Sequence, residues 1–121
     1  MRPERFADRL DPSTYESDDE VVGIYERDPN EHDALWCSGR LFRRLTTIGR
    51  AYELPTLPLL DGSADLSLNR TRCVSLVDEI AFVAERVNDD VLLALAQSLS
   101  DYVATRVRRP AWLGDITFDF D

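Results

Sequence analysis

Between residues 70 and 107 the chain carries two stretches of helical apolar periodicity broken at Asn88-Asp89, and no other feature restricts its fold as strongly. In the first stretch Cys73, Leu76, Val77, Ile80, Ala84 and Val87 share one face, widened by Val74, Phe82 and Val83. In the second, Leu92, Leu95, Ala96, Leu99 and Val103 do the same. Steps of three and four residues stack side chains on one side of a helix, and a stripe this broad is buried. Asn69 is placed to cap a helix over 70–87. Asn88 closes that helix and caps the next, over 89–107, with Asp89 and Asp90 in its first turn and Arg106, Arg108 and Arg109 at its end, each sign complementing the helix dipole. A link this short folds the two helices into an antiparallel hairpin.

The remaining chain supplies a third helix and a small sheet. Asp28-Pro29-Asn30-Glu31 reads as a helix start, with Asp28 as cap, Pro29 at the first helical position and Glu31 completing a capping box. Leu35, Ser38, Leu41, Phe42, Leu45, Ile48 and Tyr52 continue at helical spacing, so a helix is expected over about 29–53, weakened at Gly39 and stopped by Pro55 and Pro58. Val21–Tyr25 is a short β-branched and aromatic run. Residues 115–120 alternate, with Ile116, Phe118 and Phe120 on one side and Asp115, Thr117 and Asp119 on the other. A further short strand is expected at about 65–68. The expected fold class is α+β, a single domain over 21–121 preceded by an acidic, loosely held segment 1–20 in which Pro3 opens a short helix ending near Leu10.

Charge is the second constraint. Among 121 residues there are 23 acidic and 14 basic ones, a net of −9, and every basic residue is Arg. Residues 1–33 carry a net −7 and residues 61–121 a net −5, around a +3 segment at 34–60. An Arg-rich, Lys-free, acidic chain fits a bacterial genome of high G+C content. Such a surface repels nucleic acid and anionic membranes and attracts basic partners. There is no apolar run long enough to span a bilayer, and Cys37 and Cys73 stand in no paired motif, so a cytoplasmic protein with two buried thiols is expected.

No residue set assembles a recognisable catalytic centre. The single His32 lies in a polar turn five residues from Cys37, a spacing that does not stack on a helix. Asp78-Glu79, Glu85 and Asp89-Asp90 lack the spacing of a helical metal site and are read as solvated faces and caps. Arg40, Arg43, Arg44 and Arg50 suggest a nucleic-acid helix, but Pro55 and Pro58 occupy the place where a recognition helix would begin. These arginines are expected to pair internally, with Asp18-Asp19-Glu20 among their partners. No catalytic, cofactor-binding or metal-ligating residue is therefore assigned.

The leading expectation is a non-enzymatic binding protein that neutralises or regulates a basic protein partner, in the manner of an immunity protein or antitoxin. Its partner-facing residues would be Asp18, Asp19, Glu20, Asp28, Asp33, Asp115, Asp119 and Asp121. The carboxylates at 115, 119 and 121 have a second reading, charge that blunts the edge of a sheet. Alternatives are a structural subunit or homodimer joined through the final strand, and a small divalent-metal enzyme using clustered carboxylates.

Overall fold

A computed structural model describes residues 20–120. Asp18, Asp19, Asp121 and the short helix expected after Pro3 lie outside them. The fold is α+β: three helices on one side of a four-stranded antiparallel sheet. In chain order the elements are β1 (Val21–Tyr25), β2 (Leu35–Ser38), α1 (Gly39–Ala51), a 3-10 turn (Leu57–Leu60), β3 (Leu66–Leu68), α2 (Arg70–Ala84), α3 (Asp90–Val107) and β4 (Ile116–Phe120).

The hairpin α2–α3 forms where the periodicity places it. Asn69 caps α2 by accepting from the Arg72 N–H, and Asp89, rather than Asn88, caps α3 through the N–H groups of Val91 and Leu92. Leu76, Ile80 and Val83 of α2 meet Leu92, Leu95, Leu99 and Val103 of α3 in the core, all essentially inaccessible to water. Each fully buried aliphatic side chain of this kind stabilises the fold by roughly 1.5–3 kcal/mol. Arg70 fastens the far end, donating to the carbonyls of Val107, Arg109 and Trp112, where α3 has no further N–H groups to offer its last carbonyls.

The first helix is ten residues shorter at its start than its periodicity suggests. Asp28-Pro29-Asn30-Glu31 forms a turn instead: the Asp28 carboxylate accepts from the Asn30 N–H, and the Glu31 carboxylate gathers the N–H groups of Glu26, Arg27 and Asp28. Only the return half of a capping box is made, Glu31 on the Asp28 N–H; Asp28 takes the Asn30 N–H in a turn, and no helix follows. Leu35–Ser38 is an edge strand, pairing Val22 with Cys37 and Ile24 with Leu35. The helix starts at Gly39, capped by Ser38 Oγ on the Leu41 N–H. Here α1 approaches the 3-10 turn so closely that a Cβ on Gly49 would lie 2.6 Å from Leu57 Cβ.

Sheet order is β2-β1-β4-β3. Leu35 and Cys37, Val22 and Ile24, Ile116, Phe118 and Phe120, and Leu66 and Leu68 point toward the helices, and Phe42 of α1 packs its ring against Phe118 and Phe120 at 5.9 and 5.7 Å. β4 is therefore an interior strand with partners on both sides. Its carboxylates do not blunt an edge, and a homodimer formed by extending the sheet from β4 is closed off.

Candidate partner surface

The side of the sheet turned away from the helices carries the alternate residues of each strand. Register sets them in rows. Trp36, Gly23 and Asp119 lie across β2, β1 and β4, and Tyr25, Thr117 and Ser67 across β1, β4 and β3. Trp36 is 51% exposed, unusual for the largest apolar side chain, and its ring lies against β1 so tightly that a Cβ on Gly23 would fall 2.5 Å from it. Glycine at 23 is thus the floor on which the indole rests. Tyr25 donates its hydroxyl to Asp119 Oδ2 at 3.2 Å, and the Ser67 and Thr117 hydroxyls meet at 3.1 Å. An aromatic anchor, a phenol, a carboxylate and paired hydroxyls share one surface.

The acidic residues singled out from the sequence do not converge. Asp119 belongs to this face, and Asp115 follows the same alternation just before β4, exposed. Asp28 and Asp33 lie on the β1–β2 connection, at the Tyr25 end of the sheet. Glu20 stands at the opposite end, ion-paired with Arg43. That pair, with Arg44–Asp89 and Arg50–Asp61, shows Arg43, Arg44 and Arg50 paired within the chain, the Arg44 pair alone of these being buried.

Two buried polar centres escape sequence reading. The first is Arg106, whose side chain is 4% exposed. It donates to Glu26 at 3.2 Å and Asp33 at 2.5 Å and stacks over the Tyr102 ring, while Glu26 also accepts from Trp112 Nε1. The guanidinium bonded to Asp33 holds that carboxyl below its ordinary range. An arginine near a helix end reads as a dipole partner; that it turns inward depends on carboxylates some 75 residues away in sequence, which no local pattern encodes. The second is Glu79. It is buried, not on a solvated face as its neighbours suggest, and its carboxylate accepts from the N–H groups of Thr56 and Leu57 and from Ser75 Oγ. It caps the 3-10 turn from across the core. Glu85 pairs with the adjacent Arg86, and Asp89 is a fully buried cap.

Burial pushes the thiols of Cys73 and Cys37 up to about 12, so both are protonated at neutral pH; Asp115 adds to the effect at Cys73. Among the described residues no group of three or more His, Cys, Asp or Glu side chains is placed to hold a metal ion, and no helix is long and apolar enough to cross a membrane. No protein-family model, curated protein or solved structure matches this chain.

Proposed function

We propose that the protein is a non-enzymatic binding protein that neutralises or regulates a basic protein partner through the uncovered face of its sheet. The observation that carries this reading is Trp36, half exposed, rigidly backed by Gly23 and set in the same row as Asp119. Tryptophan is among the residue types most enriched at the energetic centre of interfaces, and a backed ring loses little entropy on binding. Asp119 and Asp115 supply charge of the sign that suits a basic partner, and the net −9 steers its approach. A cytoplasmic setting accompanies the reading, consistent with two free cysteines.

The test is affinity capture from the host with the wild-type chain and with Trp36→Ala and Asp119→Asn as baits. A basic protein held by the wild type, released by Trp36→Ala and weakened by salt and by Asp119→Asn is the expected result. Capture that is indifferent to both substitutions refutes the reading. A second reading rests on the position of Trp36 on β2, an edge strand: a second copy pairing there would make a homodimer of a structural kind. Sedimentation at increasing concentration separates the two, since such a dimer forms without any partner and resists salt.

A further inference from the structure

A cavity of about 320 Å³ opens at the end of the sheet where β1 begins and β4 finishes, between the start of α1 and the loop after the 3-10 turn. Its apolar lining is reached through Val21 and Phe120, with Val22, Phe42 and Leu60 nearly closed to water beneath them, and its rim carries Glu20, Asp61 and Arg43. This volume lies at the lower end of the range typical of small-ligand pockets. The rim is net acidic, and Asp65, which accepts from the Phe120 N–H, adds a further carboxylate beside it. The rim ion pairs are exposed: Glu20 with Arg43, at 52% and 54%, and Asp61 with Arg50 at 3.5 Å, at 37% and 66%. Pairs of this kind contribute little, so exchanging one cation for another at the rim costs little.

We propose that this cavity receives one arginine side chain of a basic partner. An arginine has the two parts the cavity separates. Its methylene stem suits the accessible Val21 and Phe120 side chains, and its guanidinium reaches a rim of carboxylates with the Phe120 ring in the same lining. The net −9 of the chain favours a cation and disfavours an anion at the same position. The inference rests on the reading of the partner as basic and adds a second contact point at the end of the sheet beyond Asp119, in the direction away from Asp115.

The probe is N-acetyl-arginine amide, titrated into the full chain and followed by amide chemical shifts, with N-acetyl-norleucine amide as the uncharged comparison. Millimolar binding is expected, with shifts confined to Val21, Val22, Phe42, Leu60, Gly62 and Phe120. Glu20→Gln and Asp61→Asn each weaken it roughly threefold, the scale of an exposed ion pair. Arg43→Gln, which removes the competing cation, tightens it by a similar factor, while Arg108→Gln, which makes the same change in net charge elsewhere on the exposed surface, leaves it unchanged. Equal effects of Arg43→Gln and Arg108→Gln, shifts scattered over the surface, or equal binding of the norleucine amide overturn the proposal. Failure of the probe with capture still dependent on Trp36 defeats this inference alone; localised probe binding with capture indifferent to Trp36 and Asp119 defeats the sheet-face reading alone.

Discussion

Replacing Glu79 tests whether a single carboxylate holds the 3-10 turn in place. Thr56 and Leu57 are 1% and 0% exposed, and their N–H groups find their acceptor in Glu79, at 3.0 and 2.8 Å. Glu79→Ala leaves two buried donors without a partner, at roughly 1–3 kcal/mol each. Ser75 keeps the Thr56 hydroxyl as a partner and so adds little. Water entering the vacated space recovers part of the loss, so about 3–4 kcal/mol is expected, a large share of the ~5–15 kcal/mol typical of a whole domain. Glu79→Gln with its oxygen at the Oε1 position still accepts from both N–H groups and turns its amide toward Ser75 Oγ, so the loss is that of the acceptor's charge and of the Thr56 N–H shared with Oε2, about 1–2 kcal/mol. In urea, with a slope near ~1.5 kcal/mol/M, the alanine variant unfolds roughly 2 M earlier than wild type and the glutamine variant about 1 M earlier. An alanine variant within about 1 kcal/mol of wild type, or a glutamine variant as damaged as the alanine one, refutes the capping role.

Three further outcomes follow from the geometry. Gly23→Ala places a methyl group where the Trp36 ring lies, so the indole swings into solvent; a red-shifted tryptophan emission with stability changed by less than about 1 kcal/mol is expected, and an unshifted spectrum contradicts the packing. Glu53 follows α1 with φ +58°, a left-handed conformation glycine adopts freely, so Glu53→Gly raises stability by about 1 kcal/mol in thermal unfolding, and a loss of stability argues against that backbone. The Asp33 carboxyl is depressed in the folded state by its bond to Arg106, so its contribution is present above the ordinary value of 3.8 and is lost as pH falls through the lower folded value. Asp33→Asn therefore flattens the decline in stability below about pH 4, measured by denaturant midpoints; an unchanged slope removes Asp33 as its source.

What was legible in the sequence was whatever a local pattern determines. The α2–α3 hairpin announces itself by spacing and caps, and β1 and β4 by β-branched or alternating runs. The first helix misleads because Leu35, Ser38 and Leu41 satisfy a helical spacing while Leu35 and Cys37 equally satisfy strand alternation, and pairing with β1 decides between them. The legible signal was Ser38-Gly39, a good cap followed by a poor interior residue, which marks a helix start. The interior position of β4 was out of reach because strand order depends on partners distant in the chain. For the same reason the row that joins Trp36 to Asp119 appears only once β2, β1 and β4 are assembled.

The pairing of β1 with β4 also has a kinetic side. Tyr25 and Asp119, joined across that pair, are 94 residues apart, so the centre of the sheet closes by bringing together two distant parts of the chain. A two-stranded β1–β2 ribbon is marginal in isolation, and β3 is three residues long with β4 as its ladder partner. The helices, built on local contacts, can form first; the sheet cannot. Closing the sheet is therefore the step expected to limit the folding rate, because loop-closure entropy is spent before the strand contacts return it.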